Sequence, residues 1–447
     1  MNLYRMLQAR AEAGRPVRVG LIGAGKFGSM FLSQARHTPG LHLLGVADLS
    51  VDRARRAMAT TGWPDGASAP ASFAQALAGG GTFLTEDSEA LIAADGMEVV
   101  IDATGDPGAG IRHVLACCHH RRHVVMVNVE ADALAGPLLA RKAAEAGIVY
   151  SLAYGDQPAL ICEQVDWARA CGFRVVAAGK GTLYMPEFHA STPDTVWDHY
   201  GLDAARAAAS GMNAKMFNSF LDGTKSGIEM TAVANACGLA AAPGGLEFPP
   251  CAVGDLARTL IPHNDGGCLH QSGQVEVVSS RGRDGVDIAG DLRWGVYVTF
   301  EAPSDYVERC FADYGLITDP SGRYTALWRP YHLIGLELGV SVASVALRGE
   351  PTGAPREFRA DVVATAKRDL AAGEVLDGEG GFMVWGRLMP AAESVAHGAL
   401  PIGLAHGVAL TAPVAAGQVL RWRDVAIDQG GGPARFRREM EQVLAPA

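Results

Sequence analysis

A glycine-punctuated turn near the start of the chain constrains its fold most. Gly23-Ala24-Gly25-Lys26-Phe27-Gly28 ends the apolar run VRVGLIG and opens a stretch with helical spacing. The acidic residue Asp48 lies 20 residues beyond Gly28, at the end of the next apolar run. Such glycines permit a tight turn and let a pyrophosphate approach the helix N-terminus, so the pattern predicts a dinucleotide-binding turn. The alternative, a purely structural glycine turn, does not account for Asp48.

The order of strand-like and helix-like segments predicts the domain organisation. Apolar runs alternate with helical stretches over about residues 17–160, which is typical of a Rossmann-type, doubly wound parallel sheet in the α/β class. A less regular mixture follows, and the last 90 residues consist of short strands and turns. We therefore predict a dinucleotide-binding Rossmann domain over 1–160, a central α+β catalytic and oligomerisation domain over 161–355, and a small β-rich domain over 356–447.

Charge and composition restrict the partners. The 447 residues carry 38 Lys+Arg and 48 Asp+Glu, a net charge of −10 that argues against nucleic acid or an anionic membrane as a partner. The sequence has no apolar stretch of about 18 residues, no secretory signal pattern and no CxxC pair among its eight cysteines. We expect a cytoplasmic homo-oligomer, dimeric or tetrameric, that acts on a small molecule.

The residues after the second predicted strand bear on the choice between NAD and NADP. A carboxylate at Asp48 suits the ribose 2′-hydroxyl of NAD and repels a 2′-phosphate. Ser50 and Arg53 follow it, and an arginine here can pair with the 2′-phosphate of NADP. The alternative for Arg53 is a solvated helix face. Both cofactors stay open, and we predict a preference for NADPH through Arg53.

Two later strand ends supply further candidate cofactor-binding residues. Thr104 and Gly105 follow the strand VVID, and Asn128 and Glu130 follow the strand HVVM. Ligands of doubly wound sheets bind at the carboxyl ends of the strands, so we expect these residues to line the nicotinamide end of the site. The alternative is that they cap strand ends.

Polar residues concentrated over 180–229 are the candidates for catalysis. Lys180 ends a predicted strand, and His189 lies in a polar loop. Asp222, Lys225 and Glu229 are spaced i, i+3 and i+7, so one helix face could carry all three, with the carboxylates orienting Lys225. Lys225 is the predicted principal catalytic residue, and Lys180 is its rival. An ordinary surface ion pair of Lys225 and Glu229 is the alternative.

A metal site is not specified by the sequence. No HxxxH or HExxH motif occurs, and the histidines His119, His120 and His123 suggest a surface position. A divalent ion held by carboxylates such as Glu130, Asp156 or Glu229 would leave little trace in the sequence.

Several segments taken together resemble a known family. GAGKFG, DATG, VNVEAD, GDQP, GKGT and FNSFLDGTKSGIEM occur in the order seen in homoserine-dehydrogenase-like oxidoreductases, and the type II, DXR-like 1-deoxy-D-xylulose 5-phosphate reductoisomerases are the most similar among them. The segments AKRDLAAGEVLDGEG and LPIGLAHGVALTAPVAAGQVLRWRDV resemble a SAF domain. One departure is Asn128-Val129-Glu130, where homoserine dehydrogenases have a lysine after the asparagine.

The resemblance implies an NAD(P)H-dependent isomerisation and reduction that gives 2-C-methyl-D-erythritol 4-phosphate, an isoprenoid precursor. The alternatives are a dehydrogenase or oxidoisomerase of another sugar, polyol or sugar acid, a homoserine dehydrogenase, and an NAD(P)-sensing protein without catalysis. We expect the SAF-like end to contribute architecture or assembly rather than chemistry, with Arg368 and Asp369 as turn residues.

Overall fold

The structure is a computed structural model, and it describes residues 2–209 and 212–444, apart from the side chain of residue 208. The strands are β1 (Val17–Ile22), β2 (Leu41–Ala47), β3 (Phe83–Thr85), β4 (Val99–Asp102), β5 (His123–Met126), β6 (Tyr150–Leu152), β7 (Arg174–Thr182), β8 (Gln274–Ser279), β9 (Val296–Glu301), β10 (Tyr324–Arg329), β11 (Ala360–Ala366), β12 (Val375–Asp377), β13 (Val384–Pro390), β14 (His406–Leu410) and β15 (Val425–Ala426). The α-helices are α1 (Leu3–Glu12), α2 (Lys26–Ala35), α3 (Val51–Thr60), α4 (Phe73–Gly79), α5 (Ser88–Ala93), α6 (Pro107–His120), α7 (Val129–Glu145), α8 (Gln157–Ala170), α9 (Val196–Tyr200), α10 (Ala204–Ala209), α11 (Ala214–Leu221), α12 (Thr224–Cys237), α13 (Leu256–Thr259), α14 (Asp305–Asp313), α15 (Gly339–Arg348), α16 (Ala391–His397) and α17 (Gly432–Val443).

The chain divides into two compact units. The first comprises the chain up to Leu160 together with His332–Arg356, and the second comprises Ile161–Tyr331 together with the chain from Glu357 onward. The predicted central segment 161–355 is therefore divided between the units, because its last 24 residues return to the first one.

A six-stranded parallel sheet forms the centre of the first unit. Its strand order is β3-β2-β1-β4-β5-β6, the order of the Rossmann fold, which confirms the predicted fold class. The strands β1, β4 and β5 are almost wholly buried, as expected where helices cover both faces. Helix α15 packs against β1 and β4 to β6. Its Val342, and Leu338 just before the helix, belong to the same hydrophobic core as Leu21 and Ile101. This packing explains why the returning segment belongs to the first unit.

The second unit contains a four-stranded mixed sheet and the β-rich C-terminal part. The order of the sheet is β10-β9-β7-β8, in which β7 pairs parallel with β8 and antiparallel with β9. The C-terminal part contains the pair β11-β13 and the sheet β12-β14-β15.

Helix α12 lies at the centre of the second unit. It packs against β8 on one side and against β11 and β13 on another. All of its residues except Lys225 and Ala236 are buried. A helix that is covered on every side cannot present a solvated polar face, so its polar side chains are enclosed within the protein.

No helix in the part of the chain that the structure describes is long and apolar enough to cross a membrane.

Candidate functional site

The glycine turn of the first unit leaves room for a ligand at one position only. Gly23 has a φ of +98°, and a Cβ there would lie 2.6 Å from the carbonyl oxygen of Ala103. A Cβ at Gly28 would lie 2.2 Å from the carbonyl oxygen of Gly23. In contrast, a Cβ at Gly25 would meet nothing within 4 Å. The first and third glycines are thus required by packing, whereas Gly25 faces open space.

Gly25 is also the N-cap residue of α2, and it provides no side-chain cap. The exposed Lys26 and the half-buried Phe27 begin the helix. The first N–H groups of such a helix, together with its dipole, attract an anion. The turn therefore fits the pyrophosphate of a dinucleotide, as the sequence predicts.

The carboxylate of Asp48 is buried and occupied on both oxygens. Oδ2 accepts the N–H of Ala24 in the glycine turn at 2.8 Å, and Oδ1 accepts the N–H of Ser50 at 2.9 Å. Arg53 pairs with Oδ1 through Nη2 at 2.6 Å and Nε at 2.8 Å. Asp48 thus holds the glycine turn in place, and its negative charge is offset by Arg53, whose side chain is 51% exposed.

Thr104 and Asn128 are brought together at the carboxyl ends of β4 and β5, as predicted. The Thr104 hydroxyl donates to Asp102 Oδ1 at 2.7 Å and accepts from Asn128 Nδ2 at 3.0 Å. The Asn128 side chain also accepts the N–H of Ala131 at 3.1 Å and caps α7. Asn128 therefore has the capping role that was the alternative interpretation, and Thr104 links it to Asp102. Gly105 has a φ of +70° and Glu130 lies in the first turn of α7.

The second unit brings Lys180 and Glu229 together in a buried ion pair. Lys180 comes from β7 and Glu229 from α12, and their side chains are 7% and 4% exposed. The pair joins the sheet to the central helix.

Asp222 and Glu229 do not orient Lys225, and this prediction was wrong. Helix α12 begins at Thr224, so Asp222 lies before it, at the C-cap of α11. Its carboxylate pairs with Lys367 at 2.7 Å, while that of Glu229 pairs with Lys180. The i, i+3, i+7 spacing failed because the helix does not extend over all three residues. Lys225 lies at the start of α12, as predicted, and is half-buried.

His189 sits in an aromatic stack. Its ring lies 3.8 Å from that of Trp385, centroid to centroid, and its Nδ1 donates to the carbonyl oxygen of Asp222 at 2.7 Å. Nε2 consequently accepts from the Tyr184 hydroxyl at 3.0 Å in the neutral ring. Burial lowers the pKa of His189 to about 4. The imidazole is therefore neutral near pH 7 and serves as an acceptor, not as an acid.

The stack continues through residues that the sequence did not single out. Tyr184 stacks on Phe248 at 4.0 Å, and the guanidinium of Arg283 lies 5.3 Å from the centre of the Tyr184 ring. Glu276 in β8 accepts the N–H groups of Glu247 and Phe248, and burial raises its pKa to about 8. The sequence holds one signal for this buried acid. Glu276 is an isolated carboxylate within the hydrophobic strand VEVV.

Residues of the SAF-like end pack into this cluster. Lys367 follows β11 and Trp385 lies in β13, and they contact Asp222 and His189 respectively. The Lys367 ammonium also donates to the carbonyl oxygen of Ser191 at 2.7 Å. We call Lys180, His189, Asp222, Glu229, Lys367 and Trp385, together with Lys225, the polar cluster.

Comparisons with known proteins agree with this organisation. Residues 155–338 match the family described as "Oxidoreductase DRL, catalytic domain", and residues 361–426 match the SAF domain. A search of curated proteins finds no match to the chain. The first of these matches confirms the prediction of an oxidoreductase, and the second confirms the predicted SAF domain.

Solved structures with partial similarity are oxidoreductases too. An NAD-binding oxidoreductase from Klebsiella pneumoniae is 18% identical over 38% of this chain and 43% of its own, with a TM-score of 0.28. Myo-inositol dehydrogenase from Lactobacillus casei is 14% identical over 41% and 52%, with a TM-score of 0.29. Dihydrodipicolinate reductase from Paenisporosarcina sp. TG-14 is 14% identical over 74% and 95%, with a TM-score of 0.33. The chain spans about half the length of the first two.

Proposed function

We propose that the protein is an NAD(P)H-dependent oxidoreductase that reduces a small polyhydroxylated carbonyl compound carrying an anionic group. The observation that carries this proposal is the glycine turn at the Rossmann sheet, with Gly25 facing open space at an uncapped helix N-terminus. A bound nicotinamide nucleotide would supply the hydride. The catalytic-domain match over 155–338 supports a reaction that uses it.

The polar cluster supplies charges suited to an oxygen-rich substrate. Within each of the pairs Lys180–Glu229 and Lys367–Asp222, the positive and the negative charge offset each other. Two arginines lie beside the cluster, Arg283 over the Tyr184 ring and Arg387 in β13, and both donate to backbone carbonyl oxygens. Within the described residues, neither has a carboxylate partner. Their positive charges remain available to an anionic substrate such as a phosphate ester.

Lys225 is proposed to stabilise the oxygen that becomes negative during reduction. It lies in the first turn of α12, where the N-terminal end of the helix dipole adds to its charge. A fixed cation at a developing oxyanion stabilises the transition state more than the substrate. Lys180, held by Glu229, is the alternative donor.

Within this class, we propose the reductoisomerisation of 1-deoxy-D-xylulose 5-phosphate as the reaction to test first. A DRL catalytic domain followed by a SAF domain is the arrangement that the family resemblance implies. The assay follows nicotinamide absorbance with this substrate, other sugar phosphates, polyols and homoserine. Turnover of the deoxyxylulose phosphate alone supports reductoisomerisation. Turnover of another substrate transfers the proposal to a dehydrogenase, and turnover of none contradicts it.

The cofactor site is tested with Gly25→Val. A valine there should block the pyrophosphate while the fold survives, because a Cβ at Gly25 meets no neighbour. Gly79→Val is the matched control, since Gly79 lies in the same unit and also has open space around it. We expect calorimetry to show lost NADPH binding in Gly25→Val only, with melting temperatures alike. Normal binding by Gly25→Val would show that this turn does not hold the nucleotide.

The catalytic lysine is tested with Lys225→Met, which should lower turnover at least about a hundredfold. Binding of NADPH should not change. Lys215→Met serves as a control, because the Lys215 ammonium donates to the backbone carbonyl oxygen of Asp377 and not to a member of the polar cluster. Lys180→Met is combined with Glu229→Gln so that no charge is left buried without a partner. Near-normal turnover in Lys225→Met, with loss in the double variant, would assign the role to Lys180.

A further inference from the structure

A second group of ligating side chains lies outside the polar cluster, on the surface of the second unit. Glu247, His263 and His270 are all exposed, and one ligand atom from each lies within 4.8 Å of the others. Within the described residues, this is the only group of three or more His, Cys, Asp or Glu residues that meets so closely.

We propose that Glu247, His263 and His270 bind a Zn²⁺-like divalent ion. Two imidazole nitrogens and one carboxylate oxygen are a donor set that zinc prefers, and three protein ligands leave a fourth position for water. Magnesium and calcium ions prefer oxygen ligands, so a site with two histidine nitrogens should bind them weakly.

The spacing of the donor atoms suits such an ion. His270 Nε2 and Glu247 Oε1 are 3.1 Å apart. Two ligands of a tetrahedral zinc ion, each about 2.0–2.1 Å from the metal, are separated by about 3.3 Å. The 3.1 Å separation is that of a hydrogen bond in which His270 Nε2–H donates to Glu247 Oε1, and a metal ion would displace this hydrogen and take both atoms as ligands. His263 offers a ligand atom within 4.8 Å of the other two, so its exposed side chain would move toward them to complete the site.

The tautomer of His263 is set for coordination. Its Nδ1 lies 2.9 Å from the carbonyl oxygen of Gly267. A carbonyl oxygen only accepts, so Nδ1 carries the hydrogen and the lone pair of Nε2 is free to bind a metal. Metal-binding histidines commonly donate their second nitrogen to a carbonyl oxygen in this way.

The backbone under each donor is fixed by hydrogen bonds. The N–H of Glu247 donates to Glu276 Oε1 at 3.1 Å, and its carbonyl oxygen accepts from Arg283 at 2.9 Å. The N–H of His263 donates to the Leu269 carbonyl oxygen at 2.9 Å. The N–H of His270 donates to Gln274 Oε1 at 3.1 Å. Since the backbone is held before the metal binds, binding orders little more than three side chains.

The proposal is independent of the oxidoreductase function, and its test measures metal binding directly. Full-length protein without a histidine tag is stripped with a chelator and titrated with ZnCl₂ by calorimetry, with MgCl₂ as a second titrant. We expect one saturable Zn²⁺ site per chain, a rise in melting temperature with Zn²⁺, and no Mg²⁺ binding.

Three variants identify the site. His263→Ala and Glu247→Gln should each weaken Zn²⁺ binding at least about tenfold. Loss of a hydrogen-bond partner of a ligand already lowers metal affinity by about that factor, and each of these variants removes a ligand itself. His120→Ala is the matched control, since His119 and His120 form the competing pair of histidines, with ring centroids 4.8 Å apart. Binding lost in His120→Ala but kept in His263→Ala would overturn the proposal, as would the absence of a saturable site.

Discussion

Removing only one partner of the buried ion pair between Lys367 and Asp222 should be strongly destabilising, and the neighbouring Arg368–Glu374 pair provides the comparison. Their side chains are 2% and 0% exposed, so Lys367→Met leaves a carboxylate buried without its cation. Removing one partner of a buried pair costs about 3–5 kcal/mol in the free energy of unfolding. Arg368, the next residue, pairs with Glu374 at 2.7 Å but is 49% exposed. Arg368→Met should therefore cost far less, because water screens an exposed ion pair.

Urea unfolding at pH 7 measures both variants. The double variant Lys367→Met/Asp222→Asn should recover part of the loss, because no charge is then buried alone. Burial raises the pKa of Asp222 even beside Lys367, so the carboxyl in Lys367→Met takes up a proton as the pH falls. The deficit should consequently shrink at lower pH. Equal, small losses in Lys367→Met and Arg368→Met would refute the reasoning.

Two further changes test single groups. Burial raises the pKa of Glu276 from 4.5 to about 8, so the folded protein keeps a proton that the unfolded chain loses between these values. The free energy of unfolding should fall with rising pH across this range, by up to about 1.4 kcal/mol per pH unit. Glu276→Gln should flatten that dependence in urea titrations. Parallel curves of unfolding free energy against pH for the two proteins would contradict the raised pKa of Glu276. Arg53→Ala should weaken NADPH binding more than NADH binding in calorimetry, while an equal loss would confine Arg53 to holding Asp48.

The nucleotide-binding part was predictable because its signals are local. Nearby backbone atoms leave no room for a side chain at Gly23 or Gly28, so both positions require glycine. A strand, a glycine turn and a helix that follow one another in the sequence form a motif that can be recognised. Asp48 was also found, although the occupation of both its oxygens by Ala24 and Arg53 could not be inferred from spacing.

The polar cluster was predictable only in its membership over 180–229. The partners of its carboxylates depend on where α12 begins and on strands β7 and β11, which lie far away in the sequence. Lys367 and Trp385 lie within a segment of turns and short strands, where nothing distinguishes a buried lysine from a solvated one. Likewise, Glu247, His263 and His270 follow no recognised spacing.

The return of residues 332–356 to the first unit has a consequence for synthesis of the chain. The Rossmann sheet receives α15 only after the intervening Ile161–Tyr331 has been made. At about 5–20 residues per second, this interval lasts roughly 10–35 s. During that time the face of the sheet that Leu338 and Val342 later cover is exposed on the nascent chain. Ribosome-associated chaperones that bind apolar surfaces would bind this face of the sheet during synthesis. In a fragment ending at residue 160, the same face would stay exposed.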